Sequence, residues 1–329
     1  MNNENIINIA SYCEKGILHE KENKNCEDHA YSEYRNKIAL AAVSDGAGSY
    51  KYSKEGAEIT TAAVSEVIFS GFDDLYDLDD NEAAKYILCI VYDKLSAYSC
   101  ENNIDILELS ATLMCMAFHD DGRYMYIHVG DGAIAAMDNY GDMFVLSAYR
   151  HTVSANITSF VTETDPEFDF GKGCDDLRAC MLMTDGAEHF LVAEEELSPR
   201  ARILFEISHF ISKDALEAEF KALISYLKRK GANDDCSLAL ICNLKDRWKI
   251  IKIMAPNVRN KLLGIPKKIP KSRLNRYSYI LRSIVEKGFF SMKDAMTTLN
   301  AHSTTRVYKK LSGFIEAGVV SINNNKITF

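Results

Sequence analysis

Apolar residues follow two rhythms along most of the chain. Short continuous or alternating apolar runs predict strands at 38–44, 111–118, 123–129, 133–137, 143–146, 179–184 and 237–243. Steps of three and four predict helices. The segment 53–70 has such spacing, with Ser53 placed to cap it and Glu55 and Glu58 in the early turns. A second helix is predicted at 80–100 from Ala84, Ile87, Leu88, Val91, Leu95 and Tyr98, and a third at 215–230. Helices fall into groups while strands come in antiparallel-looking series. The pattern predicts an α+β protein built in layers, not a doubly wound parallel sheet.

The end of the chain has a rhythm of its own. Helices are predicted at 277–287, closed by Gly288, at 292–299, and at 303–317, closed by Gly318. A hairpin around Asn323-Asn324-Asn325 follows. Three helices and a hairpin resemble a small winged-helix domain. Pro256, Pro266 and Pro270 crowd one basic stretch, and proline interrupts helices and strands alike. The expected organisation is a large domain at 1–246, a basic proline-containing linker at 247–272 and a winged-helix-like domain at 273–329.

Composition narrows the class. With 329 residues, 47% hydrophobic and 26% charged, the chain is no collagen, coiled-coil rod or disordered polymer. The first long apolar run, Ile38 to Val43, is too short to cross a bilayer, and the N-terminus lacks a basic region before an apolar stretch. Nine cysteines, an odd number with no C-x-x-C pair, read as reduced thiols of a cytoplasmic protein. The net charge of −9 conceals a division: from residue 247 onward 17 Lys and Arg face three acids (Glu286, Asp294, Glu316), so this segment is +14 and the remainder −23. Two modules with different partners are expected.

One chemical pattern recurs. An apolar run leads into Asp-Gly at Asp45-Gly46, Asp131-Gly132 and Asp185-Gly186, and Asp234-Asp235 stands at the start of the last strand. Strand ends place side chains on a rigid rim, and glycine lets the backbone approach a ligand. Carboxylates meeting there repel unless a cation sits among them, and all-oxygen ligands suit magnesium, manganese or calcium. A single Asp-Gly is more often a turn, and Asp131-Gly132 also reads as a type I′ hairpin.

The ordered set is more specific. It comprises His19, Cys26-Glu27-Asp28, Ser44-Asp45-Gly46-Ala47-Gly48-Ser49 with Ser53 and Gly56-Ala57, Ser110-Ala111-Thr112-Leu113, Val129-Gly130-Asp131-Gly132-Ala133-Ile134, Asn156-Ile157-Thr158, Thr184-Asp185-Gly186 and Asp234-Asp235-Cys236-Ser237. Over about residues 8–244 this resembles the metal-dependent, type 2C serine/threonine protein phosphatases, in their bacterial branch with a D-G-A-G-S motif. The resemblance implies a four-layer αββα sandwich, a central antiparallel β-sandwich flanked by helix pairs. It also implies two magnesium or manganese ions, or three with Asp131, that ready a water to hydrolyse phosphoserine or phosphothreonine in proteins. Asp45 would bridge the metals, the Gly46 carbonyl would bind one, Asp185 and Asp234 would complete the other, and Glu27 and Asp28 would hold metal-bound waters. Asp45, Asp185, Asp234 and His19 are the expected catalytic residues. The implied partners are a phosphoprotein substrate and a serine/threonine kinase. No covalent nucleophile is needed, and no cysteine is followed six positions later by arginine. Neither a G-x-x-x-x-G-K loop nor H-E-x-x-H occurs.

Three positions depart from the family pattern. His19 stands where many relatives use arginine to grip phosphate. Ala47 stands where some carry a histidine proposed as general acid, which leaves that role unassigned. Asp235 stands where many have asparagine, and it ranks below Asp234. Other residues get plainer readings: His128 as a packed strand residue, Cys26 as structural, Glu194-Glu195-Glu196 as a solvated loop or helix start. In the last helix of the tail, Arg306, Lys309 and Lys310 fit either DNA phosphates or docking on an acidic protein surface. The alternative to an enzyme is a sensor or regulator on the phosphatase fold with the tail as its output.

Overall fold

The structure, a computed structural model, describes residues 7–148, 158–245, 247–262, 270–316 and 319–328. The chain divides into two compact units, Met1–Phe205 with Lys213–Asn243, and Glu206–Ser212 with Leu244–Phe329. Along the first run β1 (Ile7–Glu14), α1 (Ile17–Glu22), β2 (His29–Arg35), β3 (Ile38–Ser44), α2 (Ser53–Asp77), α3 (Asp80–Asn102), β4 (Leu113–His119), β5 (Arg123–Val129) and β6 (Ala133–Asp138). There follow β7 (Met143–Ala148), β8 (Phe168–Cys174), β9 (Leu177–Met183), α4 (Asp185–Leu191), β10 (Val192–Ala193), β11 (Glu196–Leu197), α5 (Pro199–Ser208), α6 (Lys213–Arg229) and β12 (Cys236–Asn243).

Two five-stranded antiparallel sheets organise this unit, in the orders β1-β12-β9-β6-β7 and β2-β3-β4-β5-β8. Their register explains the unbroken apolar runs. Along β3, Ile38, Leu40 and Ala42 share a core with α2 and α3, whereas Ala39, Ala41 and Val43 share one with the other sheet. β4 does the same, with Leu113, Cys115 and Ala117 on one face and Met114, Met116 and Phe118 on the other. A strand covered on both faces has no position at which a polar side chain is cheap. The remaining face of the first sheet meets α6, which buries Leu216, Phe220, Leu223, Ile224 and Leu227 and packs on β1.

Helix α2 runs past the expected end at residue 70, with non-helical torsions at Gly71, and α3 begins at an Asp79 cap that accepts the Asn81 N–H at 3.0 Å. The hairpin reading of Asp131-Gly132 is not met. β5 and β6 lie in different sheets, so this turn carries the chain from one to the other. Among the described residues no helix is long and apolar enough to cross a membrane.

The second unit holds α7 (Trp248–Ile253), α8 (Pro256–Leu262), α9 (Lys271–Lys287), β13 (Phe290–Ser291), α10 (Met292–Thr298), α11 (Thr304–Glu316), β14 (Ser321–Asn323) and β15 (Lys326–Thr328). The stretch expected as linker thus contains two short helices. A three-stranded sheet, β13-β15-β14, accompanies α9 to α11 around buried Ile280, Ile284, Val307, Leu311, Phe314 and Ile327. Asn324 and Asn325, both in the left-handed region, make the tight turn of the β14–β15 hairpin. Ser291 caps α10 by accepting the Asp294 N–H at 3.1 Å.

Candidate active site

Four strand ends of the first unit converge on one rim. Asp45 leaves β3 and is clamped to the segment before β4. Its N–H donates to Thr112 Oγ1 at 2.9 Å, and its carbonyl accepts the Thr112 N–H at 2.8 Å. Gly46 donates to the Glu27 carbonyl at 3.2 Å, and a Cβ there would collide with the Ser53 carbonyl, so only glycine fits. Thr184, after β9, donates to Asp28 Oδ2 at 2.8 Å and accepts the Ser237 N–H at 2.9 Å, which ties three motifs together. Asp185 opens α4. A Cβ on Gly186 would strike the Asp235 carbonyl, so glycine sets how closely α4 approaches the start of β12.

The acids are crowded. The Asp45 side chain contacts those of both Asp28 and Asp185. Burial, and then the charges of Asp28 and Asp185, push the Asp45 carboxyl well above the ordinary carboxylate range. Asp28, buried under the rim, is pushed up to about 7, chiefly by burial. Asp185 rises through burial and the charges of Asp131 and Asp234, and Glu27 rises mainly through burial. Two of the buried carboxylate oxygens at this rim, Asp185 Oδ1 and Glu27 Oε2, have no hydrogen bond. An open cavity of about 430 Å³ is lined by His19, Glu27, Asp45, Gly46, Asp131, Thr158 and Asp234. Asp28 and Asp185 join it through Asp45. Every residue expected at the site is therefore in this neighbourhood. Among the described residues no group of three or more His, Cys, Asp or Glu side chains is arranged to hold a metal ion as it stands. Asp45 instead makes its contacts directly with other carboxyl groups.

Several residues carry more than the sequence signalled. Asp235, 2% exposed, accepts the Gly16 N–H at 2.5 Å and the Glu27 N–H at 2.6 Å, and His19 Nδ1 lies 3.0 Å from its Oδ2. Thr158 donates to Asp131 Oδ2 at 3.0 Å; its motif partners Asn156 and Ile157 lie outside the described residues. Nothing in local sequence marks Thr112 and Thr184 as clamps beyond their place beside the acid motifs. His128 is packed as expected, with Nδ1 2.9 Å from Ser147 Oγ and Nε2 3.3 Å from the Asp131 carbonyl. Cys26 Sγ lies 3.1 Å from Cys13 Sγ. Glu194 and Glu195 form the exposed turn between β10 and β11.

The protein phosphatase 2C family model matches residues 15–235, a span that contains the rim from His19 to Asp235. The chain belongs to this family. Solved structures agree on the phosphatase 2C fold at low identity. The S. agalactiae serine/threonine phosphatase is 16% identical, with 72% of this chain and 99% of that one covered and a TM-score of 0.52. PppA, a regulatory component of T6SS in Pseudomonas aeruginosa, is 15% identical over 72% and 97% of the two chains, with a TM-score of 0.51. A bacterial serine phosphatase is 14% identical over 71% and 97%, with a TM-score of 0.50. No curated protein sequence matches. Membership in phosphatase 2C supports phosphatase activity for the chain.

Proposed function

We propose that the chain hydrolyses phosphoserine and phosphothreonine in proteins, using the acid rim to hold a pair of magnesium or manganese ions. The observation that carries this reading is the gathering of Glu27, Asp45, Asp131 and Asp234 around one open cavity, with Asp28 and Asp185 against Asp45. Carboxyl groups gathered in this way need protons or a cation to offset their charge. The residues fit hard divalent ions. The donor set is all oxygen, and the buried Asp185 Oδ1 and Glu27 Oε2 make no hydrogen bond. Asp45, the Gly46 carbonyl, Asp185 and Asp234 would hold the ions, with Asp131 available to a third. Bound there, such ions supply an acidified water and positive charge for the phosphoryl oxygens.

The chain's own groups do the rest. Glu27, which lines the cavity, and Asp28 behind it would hold water bound to such ions. His19 lines the cavity and grips a phosphoryl oxygen. Thr112 and Thr184 hold the acid-bearing segments in register. The two sheets with α2 and α3 on one side and α6 on the other support a four-layer αββα reading, and the run Asp45 to Ser49 matches the bacterial branch.

We read the second unit as a winged-helix-like docking module for an acidic partner surface, such as the phosphoprotein or its kinase. The order α9-β13-α10-α11-β14-β15 supports this. On α11, Arg306 and Lys309 are exposed, whereas Lys310 is occupied in donating to the Leu299 carbonyl at 2.6 Å and the Asn300 carbonyl at 3.3 Å. That leaves fewer cations for DNA phosphates than the sequence suggests. The deciding assay for the enzyme is manganese-dependent hydrolysis of an aryl phosphate and a phosphopeptide. No turnover at any pH from 5 to 9, with metal present, would overturn the proposal.

A further inference from the structure

His19 and Asp235 stand 216 residues apart and meet in the fold, with Nδ1 3.0 Å from Oδ2. We propose that Asp235 is a positioning residue that fixes the orientation and tautomer of His19 at the cavity. The Asp235 carboxylate already accepts two backbone N–H groups, Gly16 at Oδ1 and Glu27 at Oδ2. An acceptor so occupied has no proton to offer, so His19 Nδ1 must carry the hydrogen of their contact. That leaves Nε2 as the ring nitrogen not held by Asp235. It lies 3.7 Å from Glu27 Oε2, and His19 lines the acid cavity. Held this way, the ring presents Nε2 to a phosphoryl oxygen in the cavity. Asp235 also steadies the backbone on both sides of His19, since Gly16 leads into α1 and Glu27 follows it.

The carboxylate is specific for this task. Asparagine offers one acceptor oxygen and one NH₂, but three donors converge on Asp235, divided between its two oxygens. An asparagine there must turn its NH₂ toward Gly16 or toward Glu27 and His19. The catalytic consequence rests on the phosphatase reading; the hydrogen bond does not.

The test uses the full chain and two readouts. Imidazole ¹⁵N spectra, with the His19 signal assigned by its loss in His19→Gln, should show a protonated Nδ1 in the wild type. A wild-type His19 with a bare Nδ1 overturns the proposal whether or not the protein has activity, and whether or not Asp235→Asn folds. In aryl phosphate hydrolysis, Asp235→Asn and His19→Gln should each lower kcat/KM by about 10–100-fold, and the double variant should fall no lower than the worse single one. Losses that multiply independently overturn the proposal. A wild type without hydrolysis sinks the phosphatase reading and leaves the spectrum to decide this one.

Discussion

Both units concentrate charge, and they do it in opposite ways. In the first unit, acids sit behind strand ends, partly or wholly buried, in contact with each other and with pKa values pushed upward. In the second, Arg306 and Lys309 stand in solvent on a helix whose other face, Val307, Leu311 and Phe314, packs an ordinary apolar core. Buried like charge costs stability and makes sense only with a ligand to offset it. Solvated charge costs little and is free to meet a partner. The contrast separates chemistry from docking more sharply than net charge does.

The hardest blow to this contrast falls on the rim. Asp45→Asn should lower manganese-dependent hydrolysis by about 10³-fold or more, measured on an aryl phosphate. The same change removes a repelled carboxylate, so the metal-free protein should keep its Tm or gain a few degrees, roughly 2–4 °C per kcal/mol. A large loss of Tm would show that Asp45 acts as scaffold and not as ligand.

The second unit should respond in the reverse sense. Phe314→Ala should destabilise that unit by about 3–5 kcal/mol, read by differential calorimetry, and leave aryl phosphate turnover within about two-fold. Loss of turnover together with that core would join what the comparison separates.

Acidity sharpens the contrast further. Asp28 moves from an ordinary 3.8 to about 7 on folding. A raised folded pKa means that the native state holds this proton more tightly. The resulting stabilisation is complete below the unfolded value and is lost as pH rises through about 7. The metal-free Tm should therefore decline between pH 4 and 7, and manganese should restore it. Bound metal competes with the same protons, so its affinity should weaken as pH falls below 7, by roughly ten-fold per unit for each proton displaced, followed by calorimetric titration. A metal-free Tm that rises over this interval would contradict the crowding.

The smallest effect belongs to the exposed face. Arg306→Ala with Lys309→Ala should leave Tm and aryl phosphate turnover nearly unchanged, within about 0.5 kcal/mol. Only turnover of a phosphoprotein substrate, or binding to an acidic surface, should fall, and more so at low salt.

Legibility followed burial. The strands at β3, β4, β5 and β12 stood out because each lies inside a sheet and, covered on both faces, admits little but apolar residues. In the two five-stranded sheets, the strands that escaped notice, β1, β2 and β8, are all at edges, although the fourth edge strand, β7, was expected. Edge strands keep one side open to water, so runs such as His29–Arg35 and Phe168–Cys174 carry polar residues and glycine without losing their place. At the site, the Asp-Gly motifs showed through because a close backbone approach requires glycine, as at Gly46 and Gly186.

By itself the sequence determined where apolar runs end in acids, that the charge divides near residue 247, and that most core elements form where their periodicity puts them. Those features are local, set by side-chain spacing and backbone freedom within a few residues. Only the tertiary structure decided that β5 and β6 part into different sheets, that Thr184 reaches Asp28, and that His19 meets Asp235. These pairings join residues up to 216 positions apart. Their partners are chosen by how the sheets and helices pack, and that choice leaves no mark on the residues nearby.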